Sequence, residues 1–257
     1  MSFLTAVHTD VGIRKSTNQD SALMMEAQTD FGSVLLSVIC DGMGGLAKGE
    51  VASATVIEAF KNWFRNELPK IINRDDAEKL IFGEWEELIM DSNRKIAAYA
   101  EGLGISMGTT LNALLFLKDK YYIVNVGDSR AYLLTKGLYQ LTKDQTFVQR
   151  EVDMGRMTPE EAAVSPRRNV LLQCVGASPI ITPDYQSGEY APGQVFMQCS
   201  DGFRHAITPQ EIYQYLNAEV LVDEQMMKDN AVYLTELNKN RRETDNITVL
   251  LVKVIEG

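Results

Sequence analysis

Four aspartates occupy similar places in this 257-residue chain: Asp41 in ICDGMGG, Asp128 in NVGDSRAY, Asp201 in QCSDGF and Asp245 in TDNITV. Each directly follows or precedes an apolar run and sits beside Gly, Ser or Asn. Taken singly, an Asp beside a Gly needs no role beyond making a turn. Taken together, carboxylates at the mouths of several core strands would converge at one end of a rigid sandwich. Like charges held that close repel and raise one another's pKa unless a cation neutralises them. Oxygen-only ligands with no His or Cys cluster select hard Mg2+ or Mn2+ over Zn2+. His8 and His205, the two histidines, cannot supply a three-His zinc site. A two-metal centre needs a bridging carboxylate, and Asp41 is the best candidate. The following Gly42 can offer its backbone carbonyl because no side chain crowds the approach.

The elements that must position these acids change period along the chain. Phe3, Leu4, Ala6 and Val7 open a strand, a polar segment covers Thr9 to Asp20, and the next strong apolar run is Val34 to Cys40. That run stops at Asp41-Gly42-Met43-Gly44-Gly45, too glycine-rich to stay in a ladder. Helical spacing of Val56, Ile57, Phe60, Trp63 and Phe64 predicts a helix from about Glu50 to Phe64. A longer one is predicted from Asp76 to Ala100, with Leu80, Ile81, Trp85, Leu88, Ile89, Ile96 and Tyr99 as its apolar stripe. Strands return at Thr109–Leu117, Tyr121–Val126, Arg130–Thr135 and Leu138–Leu141, and their short connections predict antiparallel neighbours. Thr158-Pro159-Glu160-Glu161 and Thr208-Pro209-Gln210-Glu211 each place Thr at N-cap, Pro at N1 and Glu at N3 of a helix. Strands Gln194–Cys199 and Ile247–Val254 follow, ending and beginning beside Asp201 and Asp245. Many short strands with a few long helices fit a β-sandwich flanked by helices better than a doubly wound parallel sheet. With no repeat, low-complexity tract or linker, one domain over residues 1–257 is expected.

Composition narrows the function. The net charge is −10, so a surface attractive to nucleic acid is not expected, although one Arg or a metal can still hold an anion locally. Cys40, Cys174 and Cys199 form no CxxC, and their odd number rules out a purely intramolecular disulfide framework. The amino terminus lacks a secretory pattern and no stretch approaches a membrane span, so a soluble, cytoplasmic, monomeric protein without membrane contact is expected.

The ordered pieces TDVGIRKSTNQDS, CDGMGG, GTT, VGDSRAY, SDG and TDNITV carry a resemblance that spans nearly the whole chain. Together they resemble the metal-dependent protein phosphatase family, the type 2C serine/threonine phosphatases, in its bacterial form. LTKDQT, VDMGRMTPEEA and RRNVLLQCVG resemble the segment that carries the family's flap, here roughly residues 146–175. The resemblance implies an α+β fold, a four-layer αββα sandwich with two central, mainly antiparallel sheets, whose cleft holds two Mn2+ or Mg2+ ions. Asp41 would bridge them and the Gly42 carbonyl would complete one shell. Asp201 and Asp245 would hold one ion, and Asp20 would reach the other, directly or through water. Asp128 and Asp201 resemble the acids of a third, weaker site in bacterial relatives. The implied substrates are phosphoserine and phosphothreonine in proteins, made by a cognate Ser/Thr kinase, with the kinase itself a further partner. Two such metals would orient and acidify a water in line with phosphorus, so neither Cys40, Cys199, Ser129 nor Ser200 is needed as a nucleophile. Both cysteines are expected to point into the core.

Two departures bear on the substrate. The family places a phosphate-binding Arg in R-x-x-N-x-D; counting back from Asp20 gives Lys15, with Arg14 one residue earlier. Arg14 is favoured as the phosphate ligand because a planar fork binds two phosphoryl oxygens, provided that a bulge turns it inward; Lys15 would supply a point charge instead. Met43 stands where eukaryotic relatives carry a histidine resembling a general acid, and His205 where they carry another metal-binding Asp. The flap arginines Arg150, Arg156, Arg167 and Arg168 could touch residues flanking the phosphate, or form a solvated helical hairpin with their acidic neighbours. The competing functions are a metal-dependent small-molecule phosphomonoesterase and a pseudophosphatase binding module. The second would lack a core ligand, whereas Asp41, Asp201 and Asp245 are all present.

Overall fold

A computed structural model describes residues 1–43 and 48–257, so the Gly44-Gly45 end of the CDGMGG motif lies outside the described residues. The first elements are β1 (Ser2–Asp10), β2 (Ser21–Thr29), β3 (Gly32–Cys40), β4 (Gly42–Met43), α1 (Gly49–Asn66), α2 (Leu68–Ile71) and α3 (Ala77–Leu103). Next come β5 (Gly108–Thr109), β6 (Leu111–Leu117), β7 (Lys120–Val126), β8 (Arg130–Leu134), β9 (Leu138–Gln140), α4 (Phe147–Asp153) and α5 (Pro159–Val164). The remainder is β10 (Asp184–Glu189), β11 (Val195–Cys199), α6 (Asp201–Arg204), α7 (Pro209–Leu216), α8 (Glu224–Asn240) and β12 (Ile247–Ile255).

Two antiparallel sheets form the centre, in the orders β1-β12-β11-β8-β9 and β10-β7-β6-β3-β2. Both faces of each sheet are covered, which is why β3 and β12 read as mostly apolar runs and not as alternating ones. In β3, Val34, Leu36 and Val38 pack with α1 and α3, while Leu35 joins Phe116, Phe196 and Val252 between the sheets. In β12, Val249 and Leu251 pack with α7 and α8, while Val252 and Val254 face the other sheet. The result is helix, sheet, sheet, helix: the α+β sandwich. Both long predicted helices form, with Ile81, Trp85, Ile89 and Ile96 buried in α3; Tyr99 instead turns outward. Both Thr-Pro-x-Glu starts are capping boxes, at α5 and α7.

The layer between the sheets is not wholly apolar. Gln198 of β11 accepts a hydrogen bond from the Ser37 hydroxyl of β3. Its amide donates to Asn112 Oδ1 at 2.7 Å and the Asn112 carbonyl at 2.9 Å, and Asn112 donates to Asn125 Oδ1 at 2.9 Å. Buried amides satisfied across the interface set one register between the sheets.

One sequence expectation needs correcting. The Gly127-Asp128-Ser129 connection does not join antiparallel neighbours: β7 lies in one sheet and β8 in the other. A three-residue link can cross because Gly127 adopts φ +102°, with Thr110 packed so close that a Cβ would lie 2.7 Å from Thr110 Cγ2. The crossing places Asp128 at the junction of the sheets. Strands β2 and β10 and helix α8 lie where the sequence pattern marked no element. Strand β2, an edge strand with two Met and two Ala, has Thr29 as its one β-branched residue and so little of what announces a strand.

Candidate metal centre

The acids come from both sheets. Asp41 follows β3 and Asp128 sits in the crossing, whereas Asp201 opens α6 directly after β11 and Asp245 precedes β12. All four line one pocket of about 270 Å³, together with Lys15, Gly42, Met43, Thr110, Asn169 and Leu171. Asp20 is buried and is not part of the pocket lining.

Backbone and hydroxyl contacts hold this arrangement. The Asp41 amide donates to Thr110 Oγ1 at 2.8 Å, and the Asp41 carbonyl accepts from the Thr110 amide at 2.9 Å. Thr248 Oγ1 donates to Asp20 Oδ2 at 2.6 Å. Asn246 ties the residue 11–20 loop to the site: its Oδ1 accepts from the Gln19 amide at 2.9 Å and its Nδ2 donates to the Val11 carbonyl at 2.9 Å. Gly42 is the meeting point of three segments; a Cβ there would lie 2.4 Å from the carbonyl oxygens of both Gln19 and Gly49. Thr110, Asn246 and Thr248 stand inside the GTT and TDNITV motifs, but their types alone assign them no partner.

Electrostatics mark the site as strained for want of positive charge. Burial pushes the Asp20 carboxyl up to about 7, with Asp201 and Asp245 adding repulsion against the Thr248 hydrogen bond. Burial and then Asp201 push Asp128 up to about 7, opposed by the Arg204 guanidinium. Asp41 rises well above the carboxylate range, first by withdrawal from water and then by repulsion from Asp20, Asp201, Asp128 and Asp245. Asp20 Oδ1 and Asp201 Oδ1 are buried without a hydrogen-bond partner. Lone acceptors of that kind in a low-dielectric site call for a donor or a cation. The donor set is all oxygen, which fits Mn2+ or Mg2+. Among the described residues no group of three His, Cys, Asp or Glu side chains is already arranged to hold one ion. The acids share a pocket, and Asp245 is paired with the Lys15 ammonium, 2.8 Å away.

Lys15 and Arg14 separate clearly. Strand β1 ends at Asp10, and residues 12–14 form a turn rather than a bulged strand, so strand alternation does not govern where Arg14 points. Arg14 is exposed and is not in the pocket lining, while Lys15 is. Burial lowers the Lys15 pKa, but its hydrogen bond to Asp245 and the fields of Asp245, Asp41 and Asp201 raise it overall.

The remaining candidates are placed as follows. Cys40, Cys174 and Cys199 are buried, unpaired thiols, and burial pushes Cys199 up to about 12, away from reactive thiolate chemistry. His205 lies 3.8 Å from carboxylate oxygens of both Asp201 and Glu243, and burial lowers its pKa. Arg241 forms a bidentate pair with Glu211 at 2.7 and 2.6 Å, which gives it a structural partner.

Comparison with known proteins points the same way. The protein phosphatase 2C family model matches residues 12–239. The chain is 32% identical over 254 residues to the serine/threonine protein phosphatase PstP of Mycobacterium tuberculosis, covering 98% of this chain but 45% of that protein. This chain thus spans less than half the length of that curated relative. A putative protein phosphatase 2C-type protein of Streptococcus pyogenes is 30% identical over 250 residues, covering 96% of each chain. The crystal structure of the PstP catalytic domain in complex with 2 manganese ions superposes with a TM-score of 0.79 at 32% identity, covering 99% of both chains. A match running through the loop at residue 12, both sheets and the segment between β9 and β10 leaves one assignment: the chain belongs to the protein phosphatase 2C family.

Proposed function

We propose that this chain is a metal-dependent phosphoprotein phosphatase that hydrolyses phosphoserine and phosphothreonine in proteins, reversing a bacterial Ser/Thr kinase. The observation that carries the reading is the set of recessed acids from both sheets around one small pocket, with unpartnered buried oxygens on Asp201 in its lining and on the buried Asp20. Asp41 would bridge two Mn2+ or Mg2+ ions, the Gly42 carbonyl and Asp20 would serve one, and Asp201 and Asp245 the other. Asp128 with Asp201 would form a weaker third site. Bound there, the ions supply Lewis acidity that neutralises phosphoryl oxygens and activates a water for in-line attack.

The chain's own residues do the rest. Lys15 binds the phosphate as a point charge once its ammonium leaves Asp245, Thr110 holds the Asp41 backbone in place, and Thr248 orients the Asp20 carboxylate. Residues 146–175, with α4 and α5, form the flap, whose Asn169 and Leu171 close one wall of the pocket. The whole of 1–257 acts as a single catalytic domain.

The test is a panel of pSer, pThr and pTyr peptides and small phosphomonoesters with Mn2+ and with Mg2+. Phosphate release from pSer and pThr peptides, stimulated by Mn2+, abolished by chelator and indifferent to thiol blockers, is the expected result. A preparation that binds metal but releases phosphate from no phosphopeptide refutes it, and turnover of small esters alone assigns the chain to phosphomonoesters.

A further inference from the structure

A cavity of about 700 Å³, separate from the acidic pocket, lies behind the flap. Val148 and Val152 of α4 and Pro159 of α5 make one wall apolar. The opposite wall carries Arg130, Asp144, Arg168, Arg204 and His205. Most of this charge is already partnered. Arg130 grips both Asp144 oxygens at 2.7 Å and donates to the Tyr132 hydroxyl, so each of its three nitrogens has a partner.

Two cations keep a nitrogen without a partner. Arg204, with its side chain 11% exposed, donates to the Asp128 carbonyl at 3.1 Å and lies 3.5 Å from Asp144 Oδ2 and 3.6 Å from Asp128 Oδ2, while its buried Nε has no partner. Among the flap arginines, Arg167 stacks on Phe147 at 3.4 Å, Arg150 lies over the same ring, and Arg156 pairs with Glu151. Arg168 faces the cavity with no ion pair or side-chain hydrogen bond among the described residues. The two cavities share a wall, since Arg204 lies 3.6 Å from Asp128 Oδ2 and Arg168 precedes Asn169 in the acidic pocket.

From this juxtaposition we infer that the cavity behind the flap is a second anion subsite, centred on Arg168 and Arg204, that takes a phosphate or carboxylate carried beside the scissile phosphoresidue on the same protein substrate. The inference rests on the phosphatase reading and adds a substrate class to it: multiply phosphorylated or acidic segments. The apolar wall accommodates the carbon stem of the flanking residue, and the guanidiniums neutralise its head.

The experiment compares kcat/KM for a pThr peptide with matched peptides carrying a second pThr, an Asp or an Ala at each of the flanking positions. The anionic peptides are expected to be preferred by about fivefold or more at the position that reaches the cavity, on the scale of one charge-assisted hydrogen bond. Arg168→Ala should bring that ratio to near one, and Arg168→Lys should restore part of it. Arg156→Ala, which removes a flap charge away from the cavity, should leave the ratio intact. Ala163→Glu keeps every arginine but places a tethered carboxylate on the α5 lining, and should also abolish the preference. A wild-type ratio near one, or an equal ratio in Arg168→Ala, overturns the subsite. Inorganic sulfate that changes turnover of the Ala peptide through Arg168, with no peptide preference, assigns the cavity to a free anion and overturns the substrate-borne reading. Fluorescence anisotropy of the same labelled peptides separates the two hypotheses: no hydrolysis with Arg168-dependent binding refutes the phosphatase and retains the subsite.

Discussion

Raising the pH should weaken the metal-free protein. Asp20 and Asp128 are pushed from 3.8 up to about 7 by burial, and Asp41 further still. Between the unfolded and folded values the native state holds protons that the unfolded chain has released, so each rise in pH favours unfolding. Across the interval from about pH 6.5 to 7.5, a carboxyl with pKa near 7 is half protonated on average, worth about 0.7 kcal/mol. Two such groups give about 1.4 kcal/mol, and the raised Asp41 acts in the same direction. His8 and His205, whose pKa values burial lowers from 6.5, act in the opposite sense below that interval, which sets its lower edge. Urea denaturation in chelator at three pH values measures the slope, and Asp20→Asn should make it shallower. Mn2+ requires the deprotonated acids, so its stabilising effect should grow over the same interval. A metal-free stability that stays flat or rises with pH there would refute the account of a charge-starved pocket.

Three other outcomes are expected. Asp41→Asn should reduce phosphate release by at least about 100-fold, the scale of losing a central electrostatic group, and calorimetry should show weakened Mn2+ binding. Lys15→Ala should raise KM for a phosphopeptide about tenfold, the order of one charge-assisted hydrogen bond, while Arg14→Ala should change it little; steady-state kinetics showing the reverse order would return the phosphate to Arg14. Gln198→Leu should destabilise the fold by about 2–4 kcal/mol in urea titrations, because Asn112 and the Ser37 hydroxyl lose their partner between the sheets.

The acids were legible in the sequence because each stands where an apolar run breaks, and a strand end exposes whatever follows it. The stripes of α1 and α3 were legible for the same kind of reason, a sustained helical period of large apolar residues. Helix α8 shows the limit: its buried face is Met227, Ala231, Leu234, Thr235 and Asn238, and the polar members hide the period. Asn238 is buried because its amide donates to the Phe203 carbonyl at 2.8 Å, a contact 35 residues away in sequence. The positions of Arg14 and Lys15 were no more legible. They turn on the path of a loop, and that path is set by Asn246 and Gln19 bonds to remote backbone. Thr248 was quoted within a motif, yet its bond to Asp20 spans 228 positions. Local pattern locates strand ends; it does not locate hydroxyls that reach across the fold.

Strand β12 lies between β1 and β11, so the earliest and latest strands of this region are hydrogen-bonded side by side. During synthesis, β2, β3, β6 and β7 can associate while the ribosome is still translating the rest. The neighbouring sheet cannot, for its inner strand and the Asp245 and Thr248 that complete the pocket emerge only afterwards. The pocket that gathers acids from both sheets is therefore completed only after residues 245–255 have been made.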